Sequence, residues 1–174
     1  MQRRIQKLRL ALVALALWLA SASLASTAPA IELGQPAPAF SAPAVDGSQI
    51  SLTDYRGKVV FLDFWASWCG PCAQSLPALD GLRGEFPDSE FQVLAVNVDR
   101  KREAARTFLR RRPVGYPSAL DPSGEIPVRF GVQTMPTSFL IDRDGVVRHV
   151  HRGFRPSDVP ELRRKIQALL AAGR

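Results

Sequence analysis

The sequence predicts an α/β layered fold, in which a central mixed β-sheet is flanked by helices. Two observations carry this prediction. Apolar runs rich in β-branched and aromatic residues alternate with helical patterns in the first half of the chain, which is typical of buried parallel strands. The second half contains two short strands joined by a turn, followed by a helical pattern, so an antiparallel pair should complete the sheet.

The first elements follow from local patterns. Asp46-Gly47 is a turn signal between strand-forming residues and predicts a small hairpin. The run KVVFLDFW (58–65) predicts a central buried strand, and FQVLAVNVD (91–99) predicts a second one. Between them, residues 71–86 place their apolar side chains near one helical face.

The later elements include a strongly basic helix. Residues 100–112 (RKREAARTFLRRR) have apolar residues at helical spacing and a basic face, which we interpret as solvated, with an acidic partner as the alternative. TSFLID and GVVRHV, joined by RDG, predict the antiparallel hairpin. A period-3.6 stripe from Val159 to Leu170 predicts a final helix, with Ser157 and Asp158 as possible caps at its start and Gly173 at its end.

The N-terminus has the order of a secretory signal. Four cations without an acid precede an apolar run and then small residues, with cleavage expected after Ala22 or Ala25. An uncleaved membrane anchor is the alternative, although the apolar run is shorter than the ~20 residues of a spanning helix. We therefore expect a periplasmic or otherwise extracytoplasmic protein, membrane-bound only if this segment is retained. The predicted organisation is a signal or anchor over 1–25, a leader over 26–35 and one domain over 36–174.

The positive charge of the chain comes partly from this segment. The full sequence has 23 basic and 16 acidic residues, and without Arg3, Arg4, Lys7 and Arg9 the count is 19 against 16. The high pI thus gives no reason to infer a nucleic-acid partner.

The two cysteines of the chain lie in FWASWCGPC (64–72) and allow three interpretations. A structural staple is disfavoured because about 150 residues can build a core without one, and a loop this short gains least from closure. A metal site needs two further ligands, and the only histidines, His149 and His151, lie on one face of the final strand. Thiol–disulfide chemistry fits the spacing best.

The position of the pair between a strand and a helix supports redox exchange. Cys69 should precede the first helical turn, where free N–H groups and the helix dipole lower a thiol pKa. Cys72 lies close enough to attack a mixed disulfide formed by Cys69. Pro71 suits the start of a helix, and Gly70 avoids crowding the sulfur.

FLDFWASWCGPC resembles the active-site strand and loop of thioredoxins. The resemblance extends to Asp63 as a buried acid, Pro77 as a helix-kinking proline, MPT (135–137) as the cis-proline loop and Gly153 after the last strand, and it covers roughly residues 36–172. Within the thioredoxin superfamily the chain is more similar to exported TlpA/ResA-type proteins, because of the signal, the opening stretch and an insertion between the second long strand and MPT. This implies a thioredoxin-like three-layer fold with an N-terminal hairpin extension and an inserted helix and strand near YPSALD.

The resemblance implies a thiol–disulfide oxidoreductase that reduces protein disulfides, without a cofactor and with a membrane thiol carrier as electron donor. Asp63 would exchange a proton with Cys72, and Met135 before a cis Pro136 would offer its backbone to substrate. Trp68 would be either a half-buried aromatic or the apolar rim of the site. A copper or metal chaperone and a thiol peroxidase are the alternatives. Many relatives have Glu where this chain has Ser75, which leaves the client open.

Overall fold

The structure is a computed structural model that describes residues 31–172. The predicted signal or anchor, the first half of the leader (26–30) and the proposed helix end at Gly173 lie outside these residues. The strands are β1 (Ser41–Pro43), β2 (Gln49–Ser51), β3 (Val59–Trp65), β4 (Phe91–Asn97), β5 (Ser118–Leu120), β6 (Thr137–Ile141) and β7 (Val147–Arg152). The helices are α1 (Cys72–Arg83), α2 (Arg102–Arg111), α3 (Glu125–Arg129) and α4 (Val159–Ala172), with 3₁₀ turns at Leu52–Tyr55 and Pro156–Asp158.

Five strands form the central sheet in the order β5-β4-β3-β6-β7, and β1 pairs with β2 in a separate hairpin. Strands β3, β4 and β5 are parallel, whereas β6 is antiparallel to both β3 and β7. This arrangement confirms the predicted mixed sheet, with β3 at its centre.

Both faces of β3 are covered, which explains its continuous apolar sequence. Phe61 and Trp65 face a core formed with α1, α2 and α4. Leu62 and Phe64 face a second core formed with the N-terminal hairpin and α3. The predicted three-layer, thioredoxin-like fold is therefore confirmed.

The N-terminal segment follows the outer edges of the sheet. Ala44 forms a β-bridge with Ala119 of edge strand β5, and Pro36 forms one with Val146 just before edge strand β7. Because β7 runs parallel to β3, its first residue marks the end of the sheet opposite the carboxyl end of β3. The described chain thus begins at the end of the sheet that is remote from the cysteines.

The insertion before the cis-proline loop consists of β5 and α3. Asp121 fixes the start of α3, because its carboxylate accepts hydrogen bonds from the amides of Gly124 (3.1 Å) and Ile126 (2.7 Å). This element agrees with the predicted inserted helix and strand.

The start of α4 differs in detail from the prediction. Asp158 accepts a hydrogen bond from the Arg155 amide (2.8 Å) and thereby closes the 3₁₀ turn that precedes the helix. The carboxylate caps this turn rather than α4 itself. Between residues 31 and 172, no helix combines the length and apolar character needed to span a membrane.

Candidate active site

Cys69 and Cys72 lie where the carboxyl end of β3 passes into the start of α1, and they form a disulfide with a Cα–Cα distance of 5.3 Å. Cys69 is 5% exposed, whereas Cys72 is completely buried. The Cys72 amide donates a hydrogen bond to Cys69 Sγ (3.2 Å). Pro71 occupies the N-cap position of α1. The geometry therefore gives Cys69 both the access and the helix-end donor that the sequence predicts.

An open groove surrounds Cys69, and we call it the redox groove. Trp68 and Val128 on its walls are two of the three large apolar side chains that are exposed in the described chain, at 70% and 62%. Trp68 thus forms an apolar rim, while the neighbouring Trp65 is buried in the core. Among residues 31–172, no charged side chain lines the groove, whose residues are Trp68, Cys69, Gly70, Pro71, Val98, Gly124, Pro127, Val128, Val132, Gln133, Thr134 and Met135.

Met135 enters this groove from the cis-proline loop. The Met135–Pro136 peptide bond is cis, as the resemblance implies. Pro136 itself is buried and lies outside the groove lining; its carbonyl accepts a hydrogen bond from the Gly153 amide (2.8 Å). Within residues 31–172, the amide and carbonyl of Met135 make no hydrogen bond. They can therefore pair with an extended chain in the groove.

Asp63 is completely buried in β3, as the sequence predicts. Ser138, its register partner on β6, donates a hydrogen bond to Oδ1 (2.6 Å), while Oδ2 has no partner. Burial raises the pKa of Asp63 to about 7, although the nearby hydroxyls of Ser138 and Ser75 lower it. This carboxyl can accept or release a proton near neutral pH.

Ser75 lies on the first turns of α1, directly behind the cysteines. It is buried, and its hydroxyl donates to the Cys72 carbonyl (3.2 Å). A neutral hydroxyl therefore lies at this position behind the cysteines.

Asp99 is a site residue that sequence reasoning missed. It is buried just after β4, and it accepts hydrogen bonds from the Ser67 amide and hydroxyl, both at 3.0 Å. Asn97 holds Asp99 in turn, donating to Oδ2 at 2.8 Å. The loop before Trp68 and Cys69 is thus fixed to the end of the neighbouring strand.

The two histidines lie on one face of β7, with ring centroids 6.2 Å apart, but they are not simply solvated. His149 Nε2 lies 2.9 Å from Lys165 Nζ, and His151 Nε2 lies 3.1 Å from an Asp158 carboxylate oxygen. In the part of the chain that the structure describes, no group of three or more His, Cys, Asp or Glu residues could hold a metal ion.

Comparison with known proteins agrees with this geometry. The redoxin family model matches residues 32–166, which include both cysteines, Asp63 and the cis-proline loop. The chain belongs to the redoxin family. This redoxin is 38% identical over 117 residues to the thiol-disulfide oxidoreductase ResA of Bacillus thuringiensis, covering 67% of the chain and 68% of that relative. It is 36% identical to the thioredoxin-like protein YneN of Bacillus subtilis, over 71% of the chain and 73% of that relative.

A solved structure supports the same relationship. The redoxin shares 46% identity and a TM-score of 0.78 with a putative thiol:disulfide interchange protein DsbE from Chlorobium tepidum, covering 81% of this chain and 99% of the other. Together with the Cys69–Cys72 pair, these similarities identify the redoxin as a ResA-like thiol–disulfide oxidoreductase.

Proposed function

We propose that this redoxin reduces disulfides of protein clients outside the cytosol. The observation that carries the proposal is the unequal access of the two cysteines, since Cys69 lines an uncharged, largely apolar groove while Cys72 is completely buried. Access of this kind suits one attacking and one resolving cysteine.

The reaction starts from the reduced pair. The Cys69 thiolate, stabilised by the Cys72 amide and the start of α1, attacks one sulfur of the client disulfide and expels the other as a thiolate. The Cys72 thiolate then attacks Cys69 Sγ and releases the second client sulfur as a thiolate. The client gains two electrons, and the dithiol becomes the Cys69–Cys72 disulfide seen in the structure.

Asp63 acts in the second step. The Cys72 thiol must lose its proton before it attacks, and Asp63 is a buried base whose pKa of about 7 suits this transfer. Ser75 provides a polar group between them, because it binds the Cys72 carbonyl and also contributes to the pKa of Asp63.

The client binds as an extended segment beside Cys69. The free amide and carbonyl of Met135 pair with its backbone, and Trp68 contacts its apolar side chains. Gly70 and Pro71 leave room for the incoming sulfur, and Pro136 acts indirectly by directing Met135 into the groove.

We further propose that residues 1–25 export the protein and that residues 36–174 form its redox domain, which is periplasmic or otherwise extracytoplasmic. In an oxidising compartment a reductase needs an electron donor, for which a membrane thiol carrier is the expected class. The signal-like order of charges and apolar residues at the N-terminus supports this location.

The reduction potential of the full chain tests the direction of electron flow. No charged or histidine side chain lies between the cysteines, and none in the described part of the chain lines the redox groove, so backbone and helix-end groups stabilise the thiolate. We expect a potential below about −180 mV after equilibration in a glutathione or dithiothreitol redox buffer. A potential of about −120 mV, which is that of a strong oxidant, would contradict the reductase proposal and indicate disulfide insertion.

A further inference from the structure

A cluster of three cations lies beside the redox groove, at the start of α2. Arg100, Lys101 and Arg102 are all exposed, and between residues 31 and 172 their side chains make no hydrogen bond or ion pair. Val98 lines the redox groove only two residues before Arg100. Because two residues span at most ~7 Å, the cluster lies within reach of a client bound at Cys69.

The position of this cluster opposes helix stability. The N-terminus of a helix carries partial positive charge, so cations there are unfavourable. Lys101 occupies the N-cap of α2, where Ser, Thr, Asp or Asn is preferred, and makes no capping hydrogen bond. By contrast, Arg110 and Arg111 in the last turn suit the helix dipole. A local conflict of this kind is expected where function requires it.

Among the described residues, the neighbouring acids form no ion pair with the cluster. Glu103 pairs with Arg106 (3.1 Å). Asp99 and Asp121, which line a depression together with Arg102, already accept hydrogen bonds from backbone amides and hydroxyls. Glu125 lines the same depression but forms no ion pair with Arg102.

We propose that Arg100, Lys101 and Arg102 form a docking site for acidic residues that flank the reactive cysteine of a protein client. The inference rests on the proposed function and specifies its substrate class: clients with an uncharged, apolar segment in the redox groove and acidic residues beside it. A protein is favoured over an anionic membrane, because the redox groove beside the cluster offers the unpaired backbone groups of Met135 to an extended chain.

The test uses two synthetic peptides with one internal disulfide each, identical except for Glu or Lys flanks. Cysteine-to-serine analogues of both report binding to the full chain by fluorescence anisotropy, and the disulfide forms report turnover. We expect the Glu peptide to bind about tenfold more tightly than the Lys peptide at low ionic strength. The difference should shrink in ~0.5 M salt.

Two variants locate the effect. Lys101→Gln/Arg102→Gln should abolish the preference, and Lys101→Glu/Arg102→Glu should reverse it. Neither should impair folding, since both remove cations from a helix N-terminus. The control Arg110→Gln/Arg164→Gln removes the same charge, with Arg110 about 12 Å further along α2 and Arg164 on α4, and should keep the preference.

Equal binding of the two peptides by the unaltered protein, or equal loss in the control, would overturn the proposal. So would a Lys101- and Arg102-dependent binding of phosphatidylserine vesicles without any peptide preference, which would make the cluster a membrane contact. If the Glu peptide is preferred but neither disulfide is reduced, the docking site stands and the reductase proposal fails.

Discussion

Replacing Asp63 with Asn should stabilise the protein relative to the unaltered chain, by an amount that grows as the pH rises. The pKa of Asp63 is raised from 3.8 to about 7 in the folded protein, so the unfolded chain loses this proton at lower pH. Ionisation therefore favours unfolding: the penalty is absent below about pH 4, grows with pH and is complete above about pH 7. A difference of about three pKa units at ~1.36 kcal/mol each makes the full penalty about 4 kcal/mol.

Urea unfolding of the oxidised full chain between pH 5 and pH 8 measures this penalty. The unfolding free energy of Asp63→Asn relative to the unaltered protein should increase by about 2.5 kcal/mol across the range. Any cost of burying the Asn amide is the same at each pH, so the slope isolates ionisation. Parallel stability curves for Asp63→Asn and the unaltered protein would refute a buried carboxyl of raised pKa.

The same variant should lose redox activity while it gains stability. General-base catalysis typically contributes about 10²–10⁴-fold, so release of the client from the mixed disulfide should slow by at least about tenfold near neutral pH. Initial attack by Cys69 should change less. Stopped-flow traces with unchanged turnover from pH 6 to pH 8 would remove Asp63 from the mechanism.

Three further variants test the remaining assignments. Cys72→Ser should trap clients as mixed disulfides through Cys69, and Cys69→Ser should abolish disulfide reduction; trapping by Cys72 in preference would reverse their roles. Asp99→Ala should lower the unfolding free energy by about 2 to 3 kcal/mol in urea titrations, because the donors of Ser67 lose their carboxylate acceptor, and an unchanged midpoint would argue against a stabilising role for these hydrogen bonds. Trp68→Ala should weaken binding of apolar peptides without changing the unfolding midpoint, since the ring is 70% exposed; a large loss of stability would place it in the core instead.

Sequence patterns could predict the features that depend on neighbours along the chain. The apolar run of β3 indicated burial on both faces, and the strand-to-helix transition placed Cys69 before Cys72 at a helix start. Pro136 was predicted from its MPT motif. These features depend on local patterns and on a motif whose members share one loop.

The features that sequence analysis missed depend on which strands lie side by side. Asp99 binds Ser67 from 32 residues away, because β3 and β4 are adjacent and end at the same edge of the sheet. An acid at the carboxyl end of a neighbouring strand was the available signal. The partner of His151 could likewise not be predicted from the sequence, because the turn after β7 is what brings Asp158 to it.

The N-terminal segment has a consequence for self-association. Edge strands offer unpaired backbone groups to other chains, and here Ala44 covers part of β5 while Pro36 covers the approach to β7. Residues from one short stretch therefore cover part of both edges of the sheet, at β5 and at the start of β7. A chain trimmed past Val45 would keep its cysteines and most of its core. It would, however, expose unpaired backbone groups of both edge strands. Removal of the residues up to Val45 would thus make the protein prone to aggregate before it destroyed the active site.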